Sequence, residues 1–72
     1  MVEIFKTNVT NERLASRVLK TLRAGLPCYH FNFDLEDCDR ILRAQSAGEP
    51  IENARVIKIV KDCRVEISLF EG

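Results

Sequence analysis

The sequence has no excess of charge of either sign: Lys and Arg number 11, Asp and Glu number 11, and the formal net charge is +0. Without surplus positive charge there is no electrostatic reason to expect nucleic acid or an anionic membrane surface as a partner. The chain also lacks an apolar run long enough to span a bilayer, and residues 1–6 lack the apolar core of a signal peptide. We therefore expect a cytoplasmic protein.

Cysteine is scarce and its count is odd: Cys28, Cys38 and Cys63 are present, and no two of them have the C-x-x-C spacing. Disulfide frameworks normally use an even number, so we expect reduced thiols. The 72 residues are predicted to form one domain, residues 1–72. A domain of this size buries only about 60% of its extended surface, which excludes a site enclosed between two lobes.

Alternating apolar and polar residues in the middle of the chain predict a pair of strands. Tyr29, Phe31, Phe33 and Leu35 recur at a period of two and are expected to face the core. Residues 36–39 (Glu, Asp, Cys, Asp) are typical of a turn, because such side chains bond to nearby backbone. The predicted strands are residues 2–7, 28–35, 40–45 and 64–71.

A helix is predicted before this hairpin, over residues 12–24, where Val18 and Leu22 belong to a wide apolar stripe. Gly25 is interpreted as a left-handed terminator, and Pro27 prevents continuation.

Residues 51–61 form the ambiguous segment. Pro50 suits the first turn of a helix, and the apolar residues that follow have helical spacing. Several of them are β-branched, so residues 55–60 could instead form a hairpin with residues 65–70. The order of elements favours the helix.

The predicted order of strand, helix, strand, strand, helix, strand is that of the split βαβ, or ferredoxin-like, sandwich. This α+β fold has a four-stranded antiparallel sheet with two helices on one face. Because strand residues alternate, either Ile41 or Leu42 must point to the uncovered face. Phe70 and either Ile4 or Phe5 are expected beside it. Such a patch suits a homodimer or a protein partner that docks on the open sheet face.

Three short matches suggest a family. Val18 and Leu22 match its first helix, Phe-Asp-Leu at residues 33–35 resembles the V-D-L that ends its second strand, and Lys-Asp-Cys at residues 61–63 stands where the family often has K-x-G. On these residues the chain resembles the heavy-metal-associated family, the copper-chaperone and metal-ATPase modules. Residues 31–43 also resemble short bacterial proteins of this fold that have no assigned activity.

The resemblance places residues 8–14 at the family's metal loop, where only Thr10 matches. Asn11 and Leu14 stand at the positions of the two metal-binding cysteines. Monovalent copper needs soft thiolate ligands, so the family's metal function does not carry over to this loop. The resemblance implies a member of the family without its metal-binding C-x-x-C motif.

A different metal site can be argued from the topology. The first β-α loop, the central hairpin and the second α-β loop lie at the same end of a βαββαβ fold. Cys38 and Cys63, with Asp37 and Asp39, could there bind Zn²⁺ or another thiophilic metal. The alternative is that Cys63 packs as a small apolar residue while Cys38 serves the turn.

Two weaker signals have structural alternatives. His30 is predicted on the open face, as a ligand, an acid–base group or an interface residue, or simply as a solvated histidine. The first helix has a basic side (Arg13, Arg17, Lys20, Arg23), but RNA binding by this fold needs aromatic residues on the open face.

No nucleophile–base pair or phosphate-binding loop is visible in the sequence. We therefore predict a small non-enzymatic interaction or regulatory module, with the Cys38–Cys63 metal-binding protein as the alternative.

Overall fold

The computed structural model describes residues 1–70 and contains the six elements in the predicted order. The strands form one sheet in the order β2-β3-β1-β4, and all three pairings are antiparallel. The chain therefore has the α+β ferredoxin-like fold. Within the described residues, neither helix is long and apolar enough to cross a bilayer. The elements are β1 (Val2–Thr7), α1 (Glu12–Gly25), β2 (His30–Asp34), β3 (Ile41–Gln45), α2 (Asn53–Asp62) and β4 (Ile67–Leu69).

Both helices cover the same face of the sheet. Phe5, Phe31 and Leu42 point to this face, and they share one core with Val18 of α1 and Val60 of α2. The inward positions of the predicted strand pair are confirmed as core, since Tyr29 and Phe31 are buried while Phe33 and Leu35 pack partly buried against them.

The predicted helix in the ambiguous segment is confirmed, but its start is wrong. Pro50 does not lie in the first turn, because α2 begins at Asn53 with Glu52 as its N-cap. The Pro50 carbonyl instead accepts a hydrogen bond from the Tyr29 hydroxyl. Helix wins over hairpin because Val56 and Val60, one turn apart, are both fully buried in the core.

The interpretation of Gly25 as a left-handed terminator is wrong. Gly48 is the glycine with a positive φ among the described residues, whereas Gly25 is the last residue of α1. A Cβ built at Gly25 would lie 3.0 Å from Cδ1 of Ile59, so α1 approaches α2 closely at this point. The glycine is explained by packing between the helices.

Three of the four strands, β2, β3 and β4, are shorter than predicted. β2 begins at His30 because the Tyr29 amide donates to the Leu26 carbonyl (3.2 Å) in a tight turn. β3 begins at Ile41, and β4 begins at Ile67 after Arg64 has closed the end of α2 with a hydrogen bond to Lys61. The predicted end of the last strand, residue 71, lies outside the described residues.

Candidate functional site

Three connections of the fold meet at one end of the sheet, which we call the turn end. The Thr7 amide and hydroxyl donate to the carbonyls of Asp39 (3.2 Å) and Arg40 (2.6 Å). The Asn8 amide donates to the Glu66 carbonyl (3.3 Å), and the Glu66 amide donates to Asn8 Oδ1 (3.0 Å). The connections so joined are β1–α1 (residues 8–11), β2–β3 (residues 35–40) and α2–β4 (residues 63–66).

The β2–β3 turn brings three metal-ligating side chains together. One donor atom from each of Asp37, Cys38 and Asp39 lies within 4.8 Å of the other two. The two carboxylates of this group already have other partners, which compete with a metal ion. Asp37 Oδ1 accepts a hydrogen bond from the Asp39 amide (2.9 Å), and the Asp39 carboxylate lies 3.5 Å from Lys6 Nζ. The Cys38 thiol is exposed.

Cys63 does not belong to this group of donors. It is the C-cap of α2, it is partly buried, and it packs against the hydrophobic core. This position agrees with the alternative interpretation, in which Cys63 packs as a small apolar residue. The grouping of Asp37, Cys38 and Asp39 is local to one turn, and the metal site that includes Cys63 stays a prediction.

The first β-α loop serves the start of a helix. Asn11 is the N-cap of α1, and its Oδ1 accepts a hydrogen bond from the Leu14 amide (2.8 Å). A side-chain oxygen at the N-cap satisfies one of the unpaired amides of the first turn. The Leu14 side chain packs partly buried against the core. Asn11 and Leu14, which align with the family's two metal-binding cysteines, thus have structural roles in capping α1 and in packing against the core.

The open sheet face carries an apolar patch that extends from β3 across β1 to the residue after β4. Leu42 belongs to the core, so Ile41 is the member of the adjacent pair that lies on the open face. Ile4 lies diagonally beside Ile41, and the Phe70 amide donates to the Ile4 carbonyl (2.9 Å), which brings Phe70 alongside. Two predicted alternatives are thereby resolved, with Phe5 in the core. The open-face patch consists of Val2, Ile4, Ile41 and Phe70.

Polar side chains occupy the β2–β3 side of the same face. His30 is exposed there as predicted, and Arg43 Nη1 donates to Asn32 Oδ1 (3.1 Å). Ile41 is paired with Asp34 of β2 on one side and with Lys6 of β1 on the other. The four predicted basic residues of α1 are exposed, away from this face.

A cleft that the sequence patterns do not predict lies at the end of the molecule opposite the turn end. It has a volume of about 480 Å³ and lies between the α1–β2 and β3–α2 connections, with Cys28, Tyr29 and Pro50 in its lining. The Tyr29 hydroxyl donates to the Pro50 carbonyl (3.2 Å) and accepts from the Glu52 amide (3.2 Å). The available signal was a tyrosine at the first inward position of the series that continues with Phe31 and Phe33, because a buried hydroxyl needs a partner.

Compared with protein-family models, curated proteins and solved structures, the chain has no significant match. The class of protein is therefore defined by its fold and its surfaces.

Proposed function

We propose that this protein is a small non-enzymatic interaction module that binds a partner protein through the open face of its sheet. The observation that carries the proposal is the open-face patch, which no helix covers: Val2 and Phe70 are exposed there, Ile4 is half-buried, and Ile41 is buried. Val2 and Phe70 are 49% and 38% exposed, respectively. Contiguous exposed apolar surface with a polar rim is typical of protein-binding sites.

The distribution of polarity on this face supports a protein ligand. Lys6 and Arg43 flank the patch, and His30 and Asp34 lie further out towards β2. An apolar centre would supply most of the binding free energy, while the charged rim would orient the partner and restrict which proteins can dock. The resemblance to heavy-metal-associated modules stays a prediction.

Site-specific photo-crosslinking tests the proposal. A benzophenone amino acid replaces Phe70 on the patch, and in a matched control it replaces Arg17 on the exposed side of α1. Both proteins are irradiated in a lysate of their own host. We expect a discrete heterologous adduct from position 70 that position 17 does not form.

The captured protein is then purified and titrated against the unmodified chain and against Val2→Glu by calorimetry. A buried carboxylate without a partner should weaken binding at least about tenfold. Equal crosslinking from both positions, or unchanged affinity of Val2→Glu, contradicts the proposal. An adduct of twice the chain's mass would assign the patch to a homodimer.

A second candidate function is metal binding, favoured by the convergence of Asp37, Cys38 and Asp39. A borderline metal such as Zn²⁺ accepts one thiolate with carboxylate ligands. Titration with Co²⁺ would reveal thiolate ligation by a charge-transfer absorption band. The band should disappear in Cys38→Ser and persist in Cys28→Ser, and its response to Cys63→Ser tests the predicted role of Cys63. Absence of the band in the unmodified chain removes this candidate.

A further inference from the structure

The β2 edge of the sheet is unpaired in the described chain, and its free backbone groups can be assigned. The Ser46 amide donates to the Met1 carbonyl, and the Met1 amino group donates to the Ser46 carbonyl. Opposed residues in an antiparallel pair alternate between bonded and non-bonded pairs. On β3, the even-numbered residues therefore bond β1 and the odd-numbered residues bond β2. The backbone groups of Phe31 and Phe33 then point outwards.

A contact of α1 supports this assignment. The Phe31 carbonyl accepts a hydrogen bond from Arg23 Nη2, at the long distance of 3.5 Å. A carbonyl bonded within the sheet would not face this side chain. Arg23 thus makes one weak hydrogen bond to the outward carbonyl of Phe31. It makes no such bond to the outward backbone amide and carbonyl of Phe33. Unpaired edge groups of this kind are templates for pairing with another strand.

A groove of about 630 Å³ runs along this edge between α1 and β2. Its apolar floor includes Leu19 and Phe33, which are both partly buried. Carboxylates line it where β2 ends, at Glu12, Asp34 and Glu36, and Arg43 lines it beside Asn32. Where β2 begins, the edge carries Arg23 and His30. The edge therefore has an acidic end and a basic end.

We propose that a second copy of this chain pairs with this edge, β2 antiparallel to β2, about a two-fold axis at Asn32. In this register Phe31 of each copy lies opposite Phe33 of the other, so the outward backbone groups of both residues find partners. On the open face, His30 of each copy lies opposite Asp34 of the other. Phe31 and Phe33 meet on the core side.

Self-complementarity of the edge selects a second copy as the occupant. A two-fold axis brings the acidic end of one edge to the basic end of the other, and it makes each favourable contact twice. Because the formal net charge is +0, no net charge repulsion opposes the association of two copies. The paired sheets become one eight-stranded sheet, which presents both open-face patches on the same side with the two β2 strands between them. The edge and the patch are separate surfaces, so the dimer stands or falls independently of the proposed function.

Sedimentation velocity over a concentration series, from about 1 µM to 1 mM, tests the dimer. We expect reversible dimerisation of the unmodified chain. His30→Glu places like charges opposite each other at two points and should weaken the dimer about tenfold. Asp34→Lys removes both His30 contacts and should also weaken it. The double variant carries opposite charges in exchanged positions and should restore the dimer.

Ser68→Glu is the matched control, because Ser68 is exposed on the open face beside the other edge of the sheet. It should leave this dimer unchanged, whereas a dimer formed through the open face would weaken. Circular dichroism verifies the fold of each variant. In the unmodified chain, hydrogen exchange at the Phe31 and Phe33 amides should slow as concentration rises.

Three results would each overturn the proposal: a monomer over the whole concentration range, a dimer that responds to Ser68→Glu and not to the β2 variants, or a folded double variant that fails to regain the dimer.

Discussion

The Tyr29 hydroxyl joins two connections that are far apart in sequence. It donates to the Pro50 carbonyl and accepts from the Glu52 amide, both at 3.2 Å. The ring is buried in the core, while both bonds of the hydroxyl are partly buried beside the cleft. Glu52 is the N-cap of α2, but its side chain makes no capping hydrogen bond with the first turn. The hydroxyl therefore holds the start of α2 against the rest of the fold.

Tyr29→Phe should lower the free energy of unfolding by about 1–2 kcal/mol, because it removes one hydrogen-bond donor and leaves the Glu52 amide without its acceptor. Urea denaturation followed by circular dichroism measures the change. The control is Glu52→Ala, which removes only the exposed ion pair with Arg55 (3.2 Å) and should change stability by less than about 0.5 kcal/mol. Equal effects of the two variants would show that the hydroxyl bonds contribute nothing.

Two arginines adopt the left-handed backbone region at the turn end. Arg40 has a φ of 48° and Arg64 a φ of 64°. This region costs a residue with a Cβ about 1–2 kcal/mol, and glycine avoids the penalty. The Arg64 side chain is exposed, whereas Arg40 Nη1 donates to the Leu35 carbonyl (2.6 Å).

Arg64→Gly should raise the free energy of unfolding by about 0.5–1 kcal/mol, since relief of strain exceeds the added entropy of the unfolded chain. Arg40→Gly relieves similar strain but loses the bond to Leu35, so its gain should be smaller. Thermal and urea denaturation of both variants provide the test. A larger gain at position 40 than at position 64 would contradict this explanation.

The two helices approach each other closely at the end of α1. Cβ of an alanine at position 25 would meet Ile59 Cδ1 at 3.0 Å, and this terminal carbon can move only where its partly buried surroundings allow. Alanine favours a helix by up to about 1 kcal/mol over glycine. Gain in helix propensity and steric conflict therefore oppose each other at this position.

Gly25→Ala alone should change the free energy of unfolding by less than about 0.5 kcal/mol, because the two effects offset each other. In an Ile59→Val background, which removes Cδ1, the same change should stabilise by about 0.5–1 kcal/mol. The double-mutant cycle is measured by urea denaturation. Ala24→Gly, at an exposed position of α1, is the control and should cost the same in both backgrounds.

The elements differ in how well local sequence predicts them. The start of α1 is visible in the sequence because Asn11 caps it directly and the apolar stripe begins beside it. α2 is harder to predict: its β-branched residues suit a strand locally, and burial of Val56 and Val60 against the sheet decides for helix. Its first residue is displaced from Pro50 by the Tyr29 hydroxyl, a contact that no local pattern contains.

The molecule as a whole has two sheet faces with different exposure to solvent. Leu42 is fully buried between the sheet and the helices, whereas Ile41 lies outside that core although its exposed fraction is only 6%. Neighbouring side chains on the open face thus shield Ile41, while Leu42 is enclosed by packed core. Removal of each side chain should have different consequences.

Leu42→Ala should cost about 3–5 kcal/mol, because it leaves a closed cavity in a small core. Ile41→Ala should cost about 1–2 kcal/mol, since its space opens to solvent and fills with water. A domain of this size has little stability in reserve, so Leu42→Ala should be largely unfolded at 37 °C. Calorimetric melting of both variants tests the difference, and equal losses would mean that the open face is covered in solution.

Much of this protein is determined by its sequence alone. The period of apolar residues is local, so it predicts six elements in order and, through the rules of chain connection, the ferredoxin-like fold. The acidic turn with Asp37, Cys38 and Asp39 is equally local, and so is the mutual proximity of its donor atoms.

Only the tertiary structure decides the rest. It places Ile41 on the open face and Leu42 in the core, packs Cys63 against the core, and leaves β2 at a free edge. Each of these outcomes depends on contacts between segments far apart in the chain. A pattern of period two or 3.6 records which residues share a face, and packing determines what that face meets.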